Sequence, residues 1–479
     1  MSGEMQRSTP EQEGISSACI LDLLNGFASA GAELHGIAIA VNGHLIFEHY
    51  QAPYAKDIPH VLHSLTKTFT NTAVGIAYSR GLIRLDEPVL KYFPQYAEHA
   101  NEYLRALTLR NLITMRSGQV RSVQGNEWRP LKTSWIDSYF HIPFAKRPGS
   151  TFLYSSGNSY ILSAIVQKVT GMTCRDLILD VLGKKLGLRD FSWQISPEGI
   201  CSGGNGIDMC VDDILRFGML YLQGGVWGGE QLLSHKWTEL SLGLREPTPH
   251  LASEPEYNFH WRHTGDVWAS RGKFGQACLL VPRLNMVVAV TMASEKHVAA
   301  DLLQKYVITP SLQDQPMPSD GPKALASAVS SMTLKRPVKS ITLRHGTPPQ
   351  IWRWHCDEHP DGITDLTLVL ENTHATLMLK DGRGVHSVVC GLDVWNDGVT
   401  SMTGHYLHHQ YESDCLRVCA SAHWEHEDRL VMEWIYPSMA FRDTVTLTLL
   451  SDKSVIMERS VNVNSEAKVR PPFCGTLIR

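Results

Sequence analysis

The stretch His63–Val89, "HSLTKTFTNTAVGIAYSRGLIRLDEPV", holds a serine and a lysine three residues apart, Ser64 and Lys67. On a helix over Ser64–Arg80, Phe69, Ala73, Ile76 and Ala77 share one face, and Gly81 ends it. Ser64 then stands at the amino end, where unpaired N–H groups and the helix dipole favour a developing negative charge. Lys67 follows one turn later, close enough for its amine to take the hydroxyl proton. Thr66, Thr68, Thr70 and Thr72 argue the other way, because they alternate as a strand would and threonine is a mediocre helix former. The spacing alone decides little: Ser465-Glu466-Ala467-Lys468 repeats it near the carboxyl end. Without context, a solvated helix start is the favoured reading of Ser64 and Lys67.

Size and composition narrow that context. A chain of 479 residues exceeds what one hydrophobic core supports, so two or more domains are expected. With 43% hydrophobic and 19% charged residues it reads as an ordinary soluble protein. A net charge of −4 gives no reason to expect nucleic acid or an anionic membrane as partner. Ten scattered cysteines, none in a C-x-x-C pair, suit reduced thiols in a cytoplasmic protein. The first residues lack an apolar signal-peptide core, and no window approaches about 18 consecutive apolar residues, so a cytoplasmic location without a membrane helix is expected.

The chain changes texture along its length. Ser16–Phe27 reads as a helix, and "GIAIAVNGHLIFEHY" as a hairpin about Asn42-Gly43. Residues 64–245 are mostly helical and punctuated by glycine, as in "SYILSAIVQKVTG" and "CVDDILRFGMLYLQGG". From His260 strands return, with "QACLLVPRLNMVVAVTMA" supplying two, and a helix over about Lys296–Tyr306 follows. Strand, helices, strands and helix in that order suggest a sheet with a helical insert. Prolines at 310, 316, 318 and 322 mark a linker, and beyond Lys335 a period of two indicates an antiparallel β domain, a sandwich or small barrel. The expected division is a domain over 1–308, a proline-rich linker with a short helix over 309–334, and a β domain over 335–479.

Six segments, taken together and in order over about residues 8–295, resemble the serine hydrolases of the β-lactamase and penicillin-binding-protein superfamily. They are "STPEQEGISSACILDLL", the opening stretch continued to "KYFPQY", "LTLRNLITMRSGQ", "RPGSTFLYSSGNSYILSAIVQKVTG", "GGNGIDMCVDDILRFGMLYLQGGVWGGEQLLSHKWTE" and "SRGKFGQACLLVPRLNMVVAVT". The closest likeness is to the branch of class C β-lactamase-like proteins, family VIII carboxylesterases and aminohexanoate-oligomer hydrolases. It implies an α/β (α+β) domain, an antiparallel sheet flanked by helices with an all-helical subdomain, and an acyl-enzyme reaction without a cofactor. The carboxyl-terminal β domain resembles those of D-aminopeptidase-like members.

Carried over by this resemblance, Ser64 is the nucleophile, Lys67 its proton acceptor and Tyr154 the tyrosine that shuttles the proton. Lys273-Phe274-Gly275 stands for the third motif, Lys273 adding positive field and the backbone N–H groups of Ser64 and Gln276 forming an oxyanion hole. Ser156 replaces the usual asparagine and Phe274 the usual threonine, which favours a small ester or amide over a β-lactam as substrate. Ser156 and Asn158 are candidate substrate contacts, and Ser156-Gly157-Asn158 offers an alternative S-x-N register. The bland readings are a core tyrosine for Tyr154, a strand-edge lysine for Lys273 and a turn residue for Asn158. No metal motif accompanies His355, His359, His405, His408, His409, His423 and His426, which read as surface or loop residues. The alternatives are a D-amino-acid peptidase, an amidase or β-lactamase of the same superfamily, and a non-catalytic penicillin-binding-like sensing module. Oligomeric state is not legible.

Overall fold

The Asn42-Gly43 turn joins strands Glu33–Val41 and His44–Tyr50, and its two central residues take left-handed φ values of 53° and 85°, as a type I′ hairpin requires. The computed structural model that shows this describes residues 5–243, 256–313, 317–341, 350–356, 358–402, 404–451 and 453–478. Along the chain two units separate, Met1–Tyr50 with Lys56–Met332, and Gln51–Ala55 with Thr333–Arg479.

In the first unit the hairpin forms one side of a seven-stranded antiparallel sheet. Its order is His44–Tyr50, Glu33–Val41, Met286–Ala293, Ala277–Val281, Val267–Arg271, Trp261–Thr264 and Glu256–Asn258. Both faces are covered, which explains the uninterrupted apolar runs. Ile37, Ile39 and Val41 face a core with the first helix, Ser17–Ser29, and with Ala299–Leu303. Ala38 and Ala40 face the other core, built with helices Thr66–Ser79, Ser156–Thr170 and Val211–Leu222. Everything from Leu62 to Gly243 is thus inserted between strands His44–Tyr50 and Glu256–Asn258 of the sheet, as the mixed pattern predicts.

The predicted helix at the opening stretch forms as a 3₁₀ turn, His63–Leu65, running into an α-helix, Thr66–Ser79. The alternating threonines do not make a strand because each hydroxyl finds a partner around a helix buried on every side. Thr66 Oγ1 accepts from the Ile207 N–H, Thr68 Oγ1 donates to Leu65 O, Thr70 Oγ1 donates to Gly203 O at 2.6 Å, and Thr72 Oγ1 donates to Thr68 O. The proline-rich stretch is more ordered than its composition suggests. Thr309–Leu312 is helical, and helix Gly321–Ser331 packs on Ser17–Ser29; Pro316 lies outside the described residues.

The second unit is a barrel, which decides between the two expected β architectures. Nine strands run from Gly384–Leu392 through His374–Asp381, Asp365–Leu370, Gln350–His355, Phe473–Leu477, Val455–Val461, Arg442–Leu449 and Arg429–Ile435 to Leu416–His426. A parallel pairing of Gly391 with Ser421 and Leu392 with Ala422 closes the ring, and Asn396–Thr400 adds a further strand beside Leu416–His426. His408, His409, His423 and His359 are buried here, against the expectation of surface histidines. His408 Nε2 lies 2.7 Å from Asp443 Oδ1, and its ring stacks on Phe441. Among the described residues no helix is long and apolar enough to cross a membrane.

Candidate active site

The turn that carries Ser64 opens on His63 at φ 48°, a left-handed conformation rare for a residue with a side chain. It leaves Ser64 part-exposed, whereas Lys67, one turn on, is 1% exposed. Lys67 Nζ donates to Gly204 O at 2.6 Å, to Ser156 Oγ at 3.1 Å and to Ser64 Oγ at 3.2 Å. These three oxygens satisfy the amine's hydrogen-bonding capacity without neutralising a charge. Burial therefore pushes the Lys67 ammonium below the ordinary lysine range; Tyr154 opposes the shift and Arg262 adds to it. Gly204 comes this close because it has no side chain: a Cβ there would lie 2.7 Å from Ser156 Cβ.

Tyr154 meets the pair from the segment before helix Ser156–Thr170. Its ring is half-buried, and its hydroxyl is sealed from solvent without a closed hydrogen bond. Lys67 Nζ lies 4.7 Å from the ring centroid and Arg262 Cζ 5.0 Å. Burial alone would raise the phenol. The Lys67 ammonium, then the Arg262 guanidinium, and polar contacts from Ser64 and Lys67 outweigh it and bring the phenol from 10.0 down to about 8. Hydroxyl, amine and phenol, expected from three separated sequence positions, lie in contact with one another.

The third segment lies against the turn that carries Ser64. A Cβ on Gly272 would fall 2.0 Å from Leu62 O, and Phe274 meets His63 edge-on with ring centroids 5.3 Å apart. Gln276 is fully buried. Its side-chain Oε1 accepts from the Met292 N–H at 3.1 Å and its Nε2 donates to Met292 O at 3.0 Å. The backbone at Gln276 is thereby pinned to the neighbouring strand. Gly275, at φ 98°, passes so near Met292 that a Cβ would lie 2.4 Å from its Cγ.

One expected contact differs. Asn158 turns into the core, accepting from the Tyr139 hydroxyl at 2.9 Å with its amide against Met115, so the S-x-N register brings no asparagine to Lys67. Ser156 does reach it. Lys273 is half-buried with Nζ 5.9 Å from the Phe274 ring centroid, and the second cation at the Tyr154 ring is Arg262.

Three contributors had no motif to announce them. The Gly203-Gly204 doublet supplies one carbonyl to Thr70 and the next to Lys67; the doublet itself was the available signal. His260, at φ 70° in the turn between strands Glu256–Asn258 and Trp261–Thr264, donates from Nδ1 to Lys67 O at 2.6 Å and faces Ser159 Oγ with Nε2 at 3.3 Å. Burial pushes this imidazole down to about 3, so it stays neutral and holds the lysine's backbone. Arg262 follows two residues later. Among the described residues no three His, Cys, Asp or Glu side chains gather as metal ligands.

A model of the Beta-lactamase family matches residues 26–309, more than half of the chain. A 6-aminohexanoate-dimer hydrolase of Paenarthrobacter ureafaciens is 27% identical over 268 residues, covering 51% of this chain and 68% of that protein. A solved structure from Bacillus anthracis, described as a candidate 6-aminohexanoate-dimer hydrolase, shares the fold with a TM-score of 0.53 at 20% identity, over 62% of this chain and 83% of its own. The structure of an octameric penicillin-binding protein homologue from Pyrococcus abyssi aligns with 96% of this chain and 99% of its own, at a TM-score of 0.49 and 13% identity.

Proposed function

The chain belongs to the beta-lactamase family, and from that premise we propose that it is a serine hydrolase that cleaves a small ester or amide through an acyl-enzyme on Ser64. The observation that carries this reading is the buried Lys67 amine, hydrogen-bonded to Ser64 Oγ and overlying a tyrosine whose phenol is lowered to about 8. In this reading Ser64 Oγ attacks the substrate carbonyl carbon while its proton passes to the Lys67–Tyr154 pair. The tetrahedral adduct collapses, the bond to the leaving group breaks, and Tyr154 returns the proton to that group. Water then repeats the sequence on the acyl-enzyme, restoring the Ser64 hydroxyl and releasing the acid. The backbone N–H groups of Ser64 and Gln276 hold the oxyanion, a contribution of about 3–4 kcal/mol to the barrier in comparable sites.

A small ester or a linear amide is preferred over a β-lactam. By the resemblance, Phe274 replaces the motif threonine whose hydroxyl contacts a lactam carboxylate, and the curated relative is by name a hydrolase of a 6-aminohexanoate dimer. The ten unpaired cysteines fit a cytoplasmic location within the same proposal. The test is intact-protein mass spectrometry after treatment with a fluorophosphonate probe. One adduct is expected on the wild type and none on Ser64→Ala. A wild type that stays unlabelled, while folded, would favour a non-catalytic binding module.

A further inference from the structure

Opposite the catalytic helix, the hairpin of strands Glu256–Asn258 and Trp261–Thr264 brings a cation to the phenol. Tyr257 and Arg262 are cross-strand partners, so their side chains share one face, while the Glu256–His263 pair one step along takes the other. The Arg262 guanidinium lies 5.2 Å from the Tyr257 ring centroid and 5.0 Å from that of Tyr154, and the two rings meet at 90° with centroids 6.0 Å apart. A guanidinium is planar and weakly hydrated, so it can rest between two aromatic rings where an ammonium would lose more hydration. The hairpin's turn is fastened to the same helix that carries Lys67. Phe259 and His260 both adopt left-handed φ, 41° and 70°, and His260 bonds the Lys67 carbonyl. Such a conformation in residues with side chains is strained, and persists where the surroundings over-determine it.

We infer that Arg262, held by this hairpin against Tyr154, is a positioning residue that readies the Lys67–Tyr154 pair to lose a proton, and that Lys273 does not have this task. The inference rests on the serine-hydrolase reading for its catalytic meaning, but its electrostatic content stands apart from it. The phenol is acted on by Lys67 from the helix, Ser64 from the turn before it and Arg262 from the hairpin; Arg262 also bears on Lys67 and on His260. In each case its positive charge disfavours protonation. The direction is therefore the same whichever member of the pair carries the shared proton.

The experiment compares the wild type with Arg262→Gln, Arg262→Lys and Lys273→Gln. The tyrosinate absorbance of each is titrated in the near ultraviolet, with the same protein carrying Tyr154→Phe subtracted to isolate one of the 15 tyrosines. In parallel, the acidic limb of kcat/KM on p-nitrophenyl acyl esters is followed against pH. Arg262→Gln is expected to move both midpoints upward by about one unit or more. Arg262→Lys, which keeps the charge, should restore most of the shift, and Lys273→Gln should leave the midpoint where it is. An unmoved midpoint in Arg262→Gln, or a larger rise in Lys273→Gln, would overturn the inference. If Arg262→Gln does not fold, Arg262→Lys and Lys273→Gln decide: a rise of about a unit in either refutes it. Failure of the hydrolase reading is separable, because it would abolish probe labelling while the titration remained readable.

Discussion

Replacing Lys67 by methionine separates the catalytic role proposed for the lysine from what it does to the fold. The side chain is 1% exposed and its ammonium is disfavoured by burial, so the native state bears a desolvation penalty that the unfolded chain does not. Methionine fills a similar volume without a charge. Against this gain, Gly204 O loses its 2.6 Å donor, and an orphaned buried carbonyl costs about 1–3 kcal/mol. The hydroxyls of Ser64 and Ser156 can turn elsewhere. The two effects are of similar size, so Lys67→Met should fold with a stability near pH 7 that is equal to the wild type's or higher by about 1–3 kcal/mol. Its rate of acylation should fall by about 100-fold or more.

The pH dependence sharpens the test. Lys67 is lowered from 10.5 and Tyr154 from 10.0 to about 8, so between these limits the unfolded chain binds more protons than the native one. Stability of the wild type must then rise with pH across that window, by up to about 3 kcal/mol from the phenol between its native and unfolded values. Lys67→Met removes the lysine and the largest charge acting on the phenol, so its stability curve should lack this rise. Urea melts at intervals from neutral to about pH 10, expressed as wild type minus variant, cancel the other titrating groups. The stability advantage of the variant should shrink as pH increases. Parallel curves, or a variant destabilised by more than about 3 kcal/mol near neutrality, would refute the reasoning.

Gly75→Ala should destabilise the first unit despite alanine's better helix propensity. A Cβ there would stand 2.3 Å from the fully buried Trp237 ring, and overpacking of this kind costs about 1–3 kcal/mol, visible as a lower melting midpoint with altered tryptophan fluorescence. In the barrel, Asp443 is fully buried between His408 and Arg459; burial raises its carboxyl, but these two partners hold it below the usual range. A depressed carboxyl stabilises the fold above its unfolded value, and that contribution is lost as pH falls through the folded one. Asp443→Asn should therefore cost about 3–5 kcal/mol near neutrality and weaken the loss of stability below about pH 4, both measurable by denaturant melts of the full chain.

What was legible in the sequence was local or carried by resemblance. Asn42-Gly43 specifies its hairpin through two adjacent φ angles, and Ser16 caps its helix by accepting from the Ala18 N–H, so neither needs distant information. Ser64, Lys67 and Tyr154 were proposed together because a family pattern fixes their order. The threonine alternation could not be resolved locally, since the partners of Thr66 and Thr70 lie at Ile207 and Gly203. The same holds for the groups that complete the site: the Gly204 carbonyl is 137 positions from Lys67, and His260 is 193. Lys273 drew attention because it sits in a motif, whereas Arg262 reaches Tyr154 through the register of a hairpin, which no spacing reveals. Closure of the barrel depends on a parallel pairing of strands that alternation alone leaves undetermined.

A lysine can be a proton acceptor near neutrality only if something keeps it from holding its charge, and the simplest way to bury a lysine does the opposite. A carboxylate beside Lys67 would offset desolvation and fix the ammonium, making the fold more secure and the base useless. Among the described residues that act on Lys67, none is a carboxylate: burial and Arg262 lower it, and the acid that pulls the other way is a phenol. Its hydrogen bonds are donated to a backbone carbonyl and two hydroxyls, dipoles that satisfy donors without matching a charge. The glycine loop is what makes this arrangement sterically possible, because only at Gly204 can the backbone approach Ser156 closely enough to deliver a carbonyl to the amine. In the proposed reaction the instability at Lys67 is therefore the condition of its role as proton acceptor, and it is borne by a helix whose residues Thr66–Ala77 are all buried against one face of the sheet.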